Sequence, residues 1–176
     1  MTPYRHRLWI AAAMAFAARA ASAQSLDQDR ARCMNPNPDI QIAGCTADIL
    51  SGQETKPNLA VAYSNRAAAY DARGLHDKAI ADATAAIELN PDYADAYNVR
   101  AWAFHGKGDD ARGLADAEQA VALAPDSAYN LETRAEIHER LGRIDEAITD
   151  YRRAVQLDPA LGPAREGLAR LSRAKP

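Results

Sequence analysis

Apolar and small residues recur along the chain at helical spacing, and the whole pattern returns every 34 residues. Tyr63, Ala67 and Tyr70 fall three or four apart and lead to Gly74, which suits a helix end because glycine tolerates positive φ. After a short turn, Ala79, Ile80, Ala83, Ala86 and Ile87 make a second apolar stripe. It stops at Asn90-Pro91, with Asp92 placed to cap a further helix beginning at Tyr93. Five columns keep this register: Gly74, Gly108 and Gly142; Pro91, Pro125 and Pro159; Ala67, Ala101 and Ala135; Ala86, Ala120 and Ala154; Leu89, Leu123 and Leu157. The frames are 60–93, 94–127 and 128–161. Each reads as two helices that cannot bury an apolar face alone, so the pairs must stack. The pattern predicts helices near 58–73, 76–89, 93–107, 110–123, 127–141, 144–157 and 163–173.

The flanks continue the pattern less regularly. Residues 39–51 align with 77–89 through Ile42/Ile80, Thr46/Thr84 and Ile49/Ile87. This predicts a degenerate unit over 24–59: a short helix near 26–33, a turn at Asn35-Pro36-Asn37-Pro38, a helix near 39–51 and a linker from Gly52 to Asn58. At the other end, 162–176 predicts one amphipathic helix and a tail. Leu168 and Leu171 face inward, and Arg165, Arg170, Arg173 and Lys175 face water, as a terminal cap requires.

Composition agrees with an all-α chain. Ala makes up roughly a quarter of the residues, favouring helices that approach closely. Aromatics are 6% of the chain, too few for a β-sandwich or barrel. The formal charge is −3, which argues against a generic nucleic-acid binder. Residues 1–23 read as an export signal: basic Arg5, His6 and Arg7, an apolar run from Leu8 to Ala18, and Ala21-Ser22-Ala23 before a cleavage point at Gln24. The run is too short to span a bilayer and ends at Arg19, although an uncleaved anchor is the alternative. Cleavage predicts a bacterial periplasmic or secreted protein. It would remove Arg5, Arg7 and Arg19 but no acid, taking the charge from −3 to −6. Cys33 and Cys45, an even count in an oxidising compartment, then suggest a disulfide, with two buried free thiols as the alternative.

The period and the columns resemble the tetratricopeptide repeat (TPR) family. The match rests on Tyr63, Ala67, Tyr70, Ala79, Ala86 and Pro91, then Tyr97, Ala101, Phe104, Ala120 and Pro125, then Ala135, Ala147, Tyr151, Ala154 and Pro159. Gly113 departs from the usual Ala, Leu131 from an aromatic, and His138 from Tyr or Phe. The resemblance implies a right-handed α-solenoid of helix pairs. It also implies a concave face, lined by the first helix of each pair, that holds a peptide of another protein. Carried over, that face comprises Val61, Ser64, Asn65, Ala68 and Asp71; Asn98, Trp102 and His105; and Tyr129, Glu132, Thr133 and Glu136. The chaperone-binding subclass uses a Lys/Asn/Arg clamp, but the matching places here hold Ser64, Ala68, Val99, Tyr129 and Thr133.

Two further columns carry charge: Arg66, Arg100 and Arg134, and Asp82, Asp116 and Asp150. The arginines could grip an acidic peptide. Their constant separation of sixteen residues from an aspartate, and their position beside the packing alanines, favour structural pairs. His76 falls in a turn and His138 on a packed face, so the histidines form no repeated ligand set. No phosphate loop, zinc motif or nucleophile elbow occurs, and the expectation is a non-enzyme without cofactor or metal. The expected role is a protein- or peptide-binding adaptor. Its ligand would be basic or neutral with an apolar anchor, since Asp71, Glu132 and Glu136 lie on a face with no free cation. Trp102 is the anchor candidate, with core packing as its alternative. A structural subunit of an envelope complex, or a self-associating scaffold, is the second reading. Nucleic acid and stable membrane insertion are not expected.

Overall fold

A computed structural model describes residues 25–174; residues 1–23, expected to be an export signal, and Lys175 lie outside them. Among the described residues there is helix and no strand. Helix α1 covers 25–33. It is followed by α2 (Pro38–Leu50), α3 (Lys56–Ala72), α4 (His76–Leu89), α5 (Ala94–Gly106), α6 (Asp110–Leu123), α7 (Ala128–Arg140), α8 (Ile144–Leu157) and α9 (Gly162–Ala174). Consecutive helices pack against each other. In addition α3 touches α5, α5 touches α7 and α7 touches α9, while α4, α6 and α8 do not touch one another. The first helices of the pairs are therefore closer together than the second helices, so the solenoid bends around α3, α5 and α7 and makes theirs the inner face.

The repeated columns are where these helices meet. Ala67, Ala79 and Ala83 are fully buried between α3 and α4, as are Ala101 and Ala117 between α5 and α6, and Ala135, Ala147 and Ala154 between α7 and α8. Small side chains there let backbones approach, and larger ones fill the space between pairs: Ile137 and Leu131 are buried. Gly74, Gly108 and Gly142 adopt φ of 70°, 82° and 75°. The left-handed residue closes each first helix, with the backbone N–H of Leu75 reaching back to Tyr70 O at 2.9 Å and that of Asp109 to Phe104 O at 2.9 Å.

Each arginine of the charged column pairs bidentately with its aspartate. The distances are 2.6 and 2.9 Å for Arg66–Asp82, 2.7 and 2.8 Å for Arg100–Asp116, and 2.7 and 2.7 Å for Arg134–Asp150. Arg66 and Arg100 also donate to Thr46 and Thr84 of the preceding helix at 3.1 Å. The column thus ties each pair internally and, in those two cases, to the pair before it.

The N-terminal pair keeps the geometry with different chemistry. Cys33 lies 34 residues before Ala67, and Cys45 aligns with Ala83. Where the later pairs bury two alanines, α1 and α2 bury a Cys33–Cys45 disulfide, with Cα atoms 4.4 Å apart. Gly44 stands where Asp82 stands in the next unit. A Cβ added to it would come within 2.5 Å of Arg32 Cβ and of Cys33 N, so only glycine permits this approach. At the other end, α9 buries Ala164 and Leu171 against α7 and α8, with Leu168 packed on the same cluster.

Three local expectations change. Helix α3 begins at Lys56, inside the expected linker, because Thr55 caps it by accepting from Asn58 N at 3.4 Å and proline is tolerated in a first turn. Asp92 does not cap α5: its N–H donates to Asn90 Oδ1, and Tyr93 is the cap residue, with no capping bond from its side chain. His76 is the first residue of α4 rather than a turn residue. Arg170 faces water as expected, with its side chain 59% exposed, and also forks onto Glu139 at 2.7–3.1 Å.

Candidate peptide-binding groove

The residues expected on the concave face divide into three groups. Asn65, Asn98, Trp102, Glu132 and Glu136 are half-buried on α3, α5 and α7, and Tyr129 is 62% exposed at the start of α7. Their registers repeat. Ser64, Asn98 and Glu132 form one column, and Ala68, Trp102 and Glu136 another, so successive helices set them in two rows along the inner face. Trp102 belongs to none of the buried clusters and stacks on His105, with ring centroids 5.3 Å apart. Asn98 Oδ1 is buried and has no donor.

The second group is tied to the turns. Asp71 accepts from or shares a proton with His76 Nδ1 at 2.7 Å, and His105 Nδ1 meets Asp110 Oδ1 at the same distance. These are one contact with its partners exchanged: positions 71 and 105 are equivalent, and each reaches a residue five places on. Arg140 from the following pair also binds Asp110, at 2.7 Å. Burial opposes the charge on Asp110, but bonds from Arg140 and His105 hold its carboxyl below the usual range. Asp71 and His105 thus close the ends of α3 and α5 and are not free to meet a ligand. The third group, Ser64 and Thr133, is buried between helices rather than open to the groove.

Every arginine on α3, α5 and α7 is bound by an aspartate: Arg66, Arg100 and Arg134 by their columns, Arg140 by Asp110. Glu132 and Glu136 stand one turn apart and make no ion pair. Burial, and then the charge of Glu136, push the Glu132 carboxyl up to about 8. Glu132 therefore holds its proton at neutral pH under the charge of Glu136, and the pair presents a single negative charge to the inner face.

The family profile of the tetratricopeptide repeat matches residues 60–93 and again residues 128–161. Between them, 94–127 supplies the same helix pair in the same register. The stack is built of tetratricopeptide repeats. TPR domains of known structure superpose on it. The first TPR domain of Spaghetti (RPAP3), bound to the HSP90 peptide SRMEEVD, does so at TM-score 0.63 and 25% identity, over 67% of this chain and 94% of that one. The first TPR domain of human RPAP3 gives 0.64 and 26%, over 67% and 93%. The TPR domain of Arabidopsis OM64 gives 0.63 and 25%, over 68% and 98%. No curated protein matches the chain in sequence.

The departures from the TPR pattern have local causes. A Cβ on Gly113 would lie 3.0 Å from Ala101 O, so an alanine there would need α5 and α6 to give by a few tenths of an ångström. His138 fills an aromatic site and is buried, which pushes its imidazole pKa down and favours the neutral ring. Residue reasoning missed one group altogether. Asp48 aligns with Ala86, Ala120 and Ala154, a column that is otherwise alanine and fully buried, yet it is itself 4% exposed. A carboxylate in an alanine column was a visible signal. Its partner Glu54, in the linker, carried none.

Proposed function

We propose that this TPR chain is a non-catalytic adaptor whose inner face holds an extended segment of another protein, basic or neutral with an apolar anchor. We further propose that it works in the bacterial periplasm once residues 1–23 are removed. TPR domains are protein-interaction modules, and the Spaghetti domain carries a bound peptide. The observation that carries the reading is electrostatic: the arginines of α3, α5 and α7 are all neutralised by aspartates, while Glu132 and Glu136 remain without an ion pair. The Spaghetti ligand ends in Glu-Glu-Val-Asp. A segment of that charge would meet like charge here, with Ser64, Ala68, Val99, Tyr129 and Thr133 offering it no cation. A basic segment would meet complementary charge, which selects partners and speeds encounter more than it adds affinity. Trp102 and Tyr129 supply the rigid apolar area that binding anchors require.

Fluorescence anisotropy tests the ligand class with two labelled dodecapeptides of identical leucine content, one carrying lysines and the other glutamates. The lysine peptide is expected to bind at least tenfold tighter, with affinity falling modestly between low and physiological salt. Preference for the glutamate peptide would overturn the reading. Intact-mass analysis of the protein recovered from a bacterial periplasmic fraction tests the location. The expected species begins at Gln24, and recovery of the full-length chain in the cytosol would reject it.

A further inference from the structure

The strongest unexplained chemistry lies at the N-terminal end of the inner face, between α1 and α3. A cavity of about 270 Å³ opens there, lined by the apolar Cys33, Met34, Val61 and Ala62 and by the polar Arg30, Asp48, Asn58 and Asn65. It is below the usual size of a small-molecule site, about 300–1,000 Å³, but suits one long side chain. Asp48 reaches it from α2, and its Oδ1 is buried without a donor. Glu54, whose side chain is 2% exposed, stands beside it with Oε2 likewise unpartnered. Two buried carboxylates here share one cation: Arg30 Nε donates to Glu54 Oε1 at 2.6 Å.

A buried carboxylate without a donor costs stability, and an alanine at this column serves the other three units. Retaining an acid that lines an open cavity is explained if a cation enters. The apolar lining matches the methylene stem of lysine or arginine, and Asp48 matches its charged end, since the Arg30 guanidinium in the lining is already bound by Glu54. Val61 stands on the groove side of α3, equivalent to the exposed Tyr129 on α7, and Asn65 is half-buried one turn further along α3, so the cavity continues the groove.

We propose that this cavity is an anchor subsite for a single lysine or arginine side chain of the segment held in the groove, with Asp48 as its counter-ion. The proposal rests on the groove reading for its ligand but not for its chemistry. It also predicts a pH response. Burial, then Glu54, push the Asp48 carboxyl up to about 6, while burial of Glu54 is outweighed by hydrogen bonds from Asn58 and Arg30 that hold its carboxyl low. The charged groups facing Asp48 are Glu54 from the linker and Arg30 and Asp29 from α1. Helix α3 faces it with the uncharged Asn58 and Asn65. Below about pH 6 a proton bridging Asp48 and Glu54 satisfies both acids, and the cation is no longer needed.

The test is a ¹⁵N–¹H NMR titration of the disulfide-intact protein with Nα-acetyl-lysine methylamide, and with the norleucine analogue as its uncharged counterpart. Saturable shifts are expected at Asp48, Asn58, Val61, Ala62 and Asn65 for the lysine compound. Binding should be at least tenfold weaker for norleucine, for Asp48→Asn, and for the wild type at pH 5. If Asp48→Asn fails to fold, Val61→Arg decides, because its own guanidinium should occupy the cavity and abolish the shifts. Equal shifts from both compounds, shifts elsewhere only, or shifts unchanged by these variants would overturn the proposal. Repeating the titration on Trp102→Ala separates the two readings. Lysine shifts that persist while a basic dodecapeptide binds no better to wild type than to Trp102→Ala leave the subsite standing and remove the groove. A peptide that needs Trp102 but ignores Asp48 does the reverse.

Discussion

Arg100→Ala is the substitution whose effect best separates a structural arginine column from a ligand-gripping one. The guanidinium of Arg100 makes two bonds to Asp116, at 2.7 and 2.8 Å, and one to Thr84 at 3.1 Å. Its side chain is 20% exposed and that of Asp116 12%. An exposed pair is worth about 0–1 kcal/mol, whereas removing one partner of a buried pair costs about 3–5 kcal/mol because the other charge is stranded. Partial water access to Arg100 places the loss near the lower end, about 3 kcal/mol, for Arg100→Ala. Asp116→Ala should cost a similar amount. At about 2–4 °C per kcal/mol for a chain of this size, each should lower Tm by roughly 10 °C. Replacing both by alanine removes the desolvated charges together and should cost less than the sum of the two, leaving a coupling of about 2 kcal/mol. Urea unfolding followed by far-UV circular dichroism measures all three. Single losses below about 0.5 kcal/mol that simply add, or Arg100→Ala abolishing peptide binding while leaving stability intact, would refute the structural reading.

Other consequences follow from the same geometry. Trp102→Ala should weaken a basic peptide by about 2 kcal/mol if the ring is an anchor while leaving the helical signal unchanged; isothermal titration and circular dichroism check this together, and unfolding would assign Trp102 to the core. Glu132 has a folded-state pKa of about 8, above its ordinary 4.5, so the folded state holds a proton that the unfolded state has lost. Its contribution is complete below about pH 4.5 and declines as pH rises through 8. Glu132→Gln should therefore leave stability near pH 4.5 little changed and raise it at pH 9, as read by urea unfolding at both values. Reducing the Cys33–Cys45 disulfide should cost about 3 kcal/mol by the loop-entropy account. Gly44→Val should loosen the same helix pair without touching the thiols. Hydrogen exchange should localise both effects to α1 and α2.

The repeat was readable because each of its columns has one physical task that admits few residues. Ala67, Ala101 and Ala135 sit where two backbones meet, and Gly74, Gly108 and Gly142 where φ must be positive. The spacing of sixteen between Arg and Asp matches pairs that the structure brings to 2.6–2.9 Å. What escaped are contacts that do not repeat in kind. The Asp71–His76 and His105–Asp110 pairs are equivalent, but exchange of acid and imidazole hides them from any search for identical columns. For the same reason Asp71 and His105 read as groove residues when they are closing turns. Asp48 was visible once the four-residue slip of the first unit was applied, but its meaning was not, because its neighbour Glu54 lies in a linker with no counterpart in the other units. The early start of α3 depends on Thr55 and Pro57 acting together, a local signal weaker than the 34-residue period.

The central claim is that the inner face of α3, α5 and α7 receives a basic segment. It is tested most directly by site-specific photo-crosslinking in cells, with benzoylphenylalanine at Tyr129 on that face or at Arg152 on the exposed side of α8. Partner peptides crosslinked from position 129, identified by mass spectrometry, should carry net positive charge, disappear with Trp102→Ala, and be absent from position 152. Crosslinks from position 152 alone, or an acidic segment captured at position 129, would contradict the account.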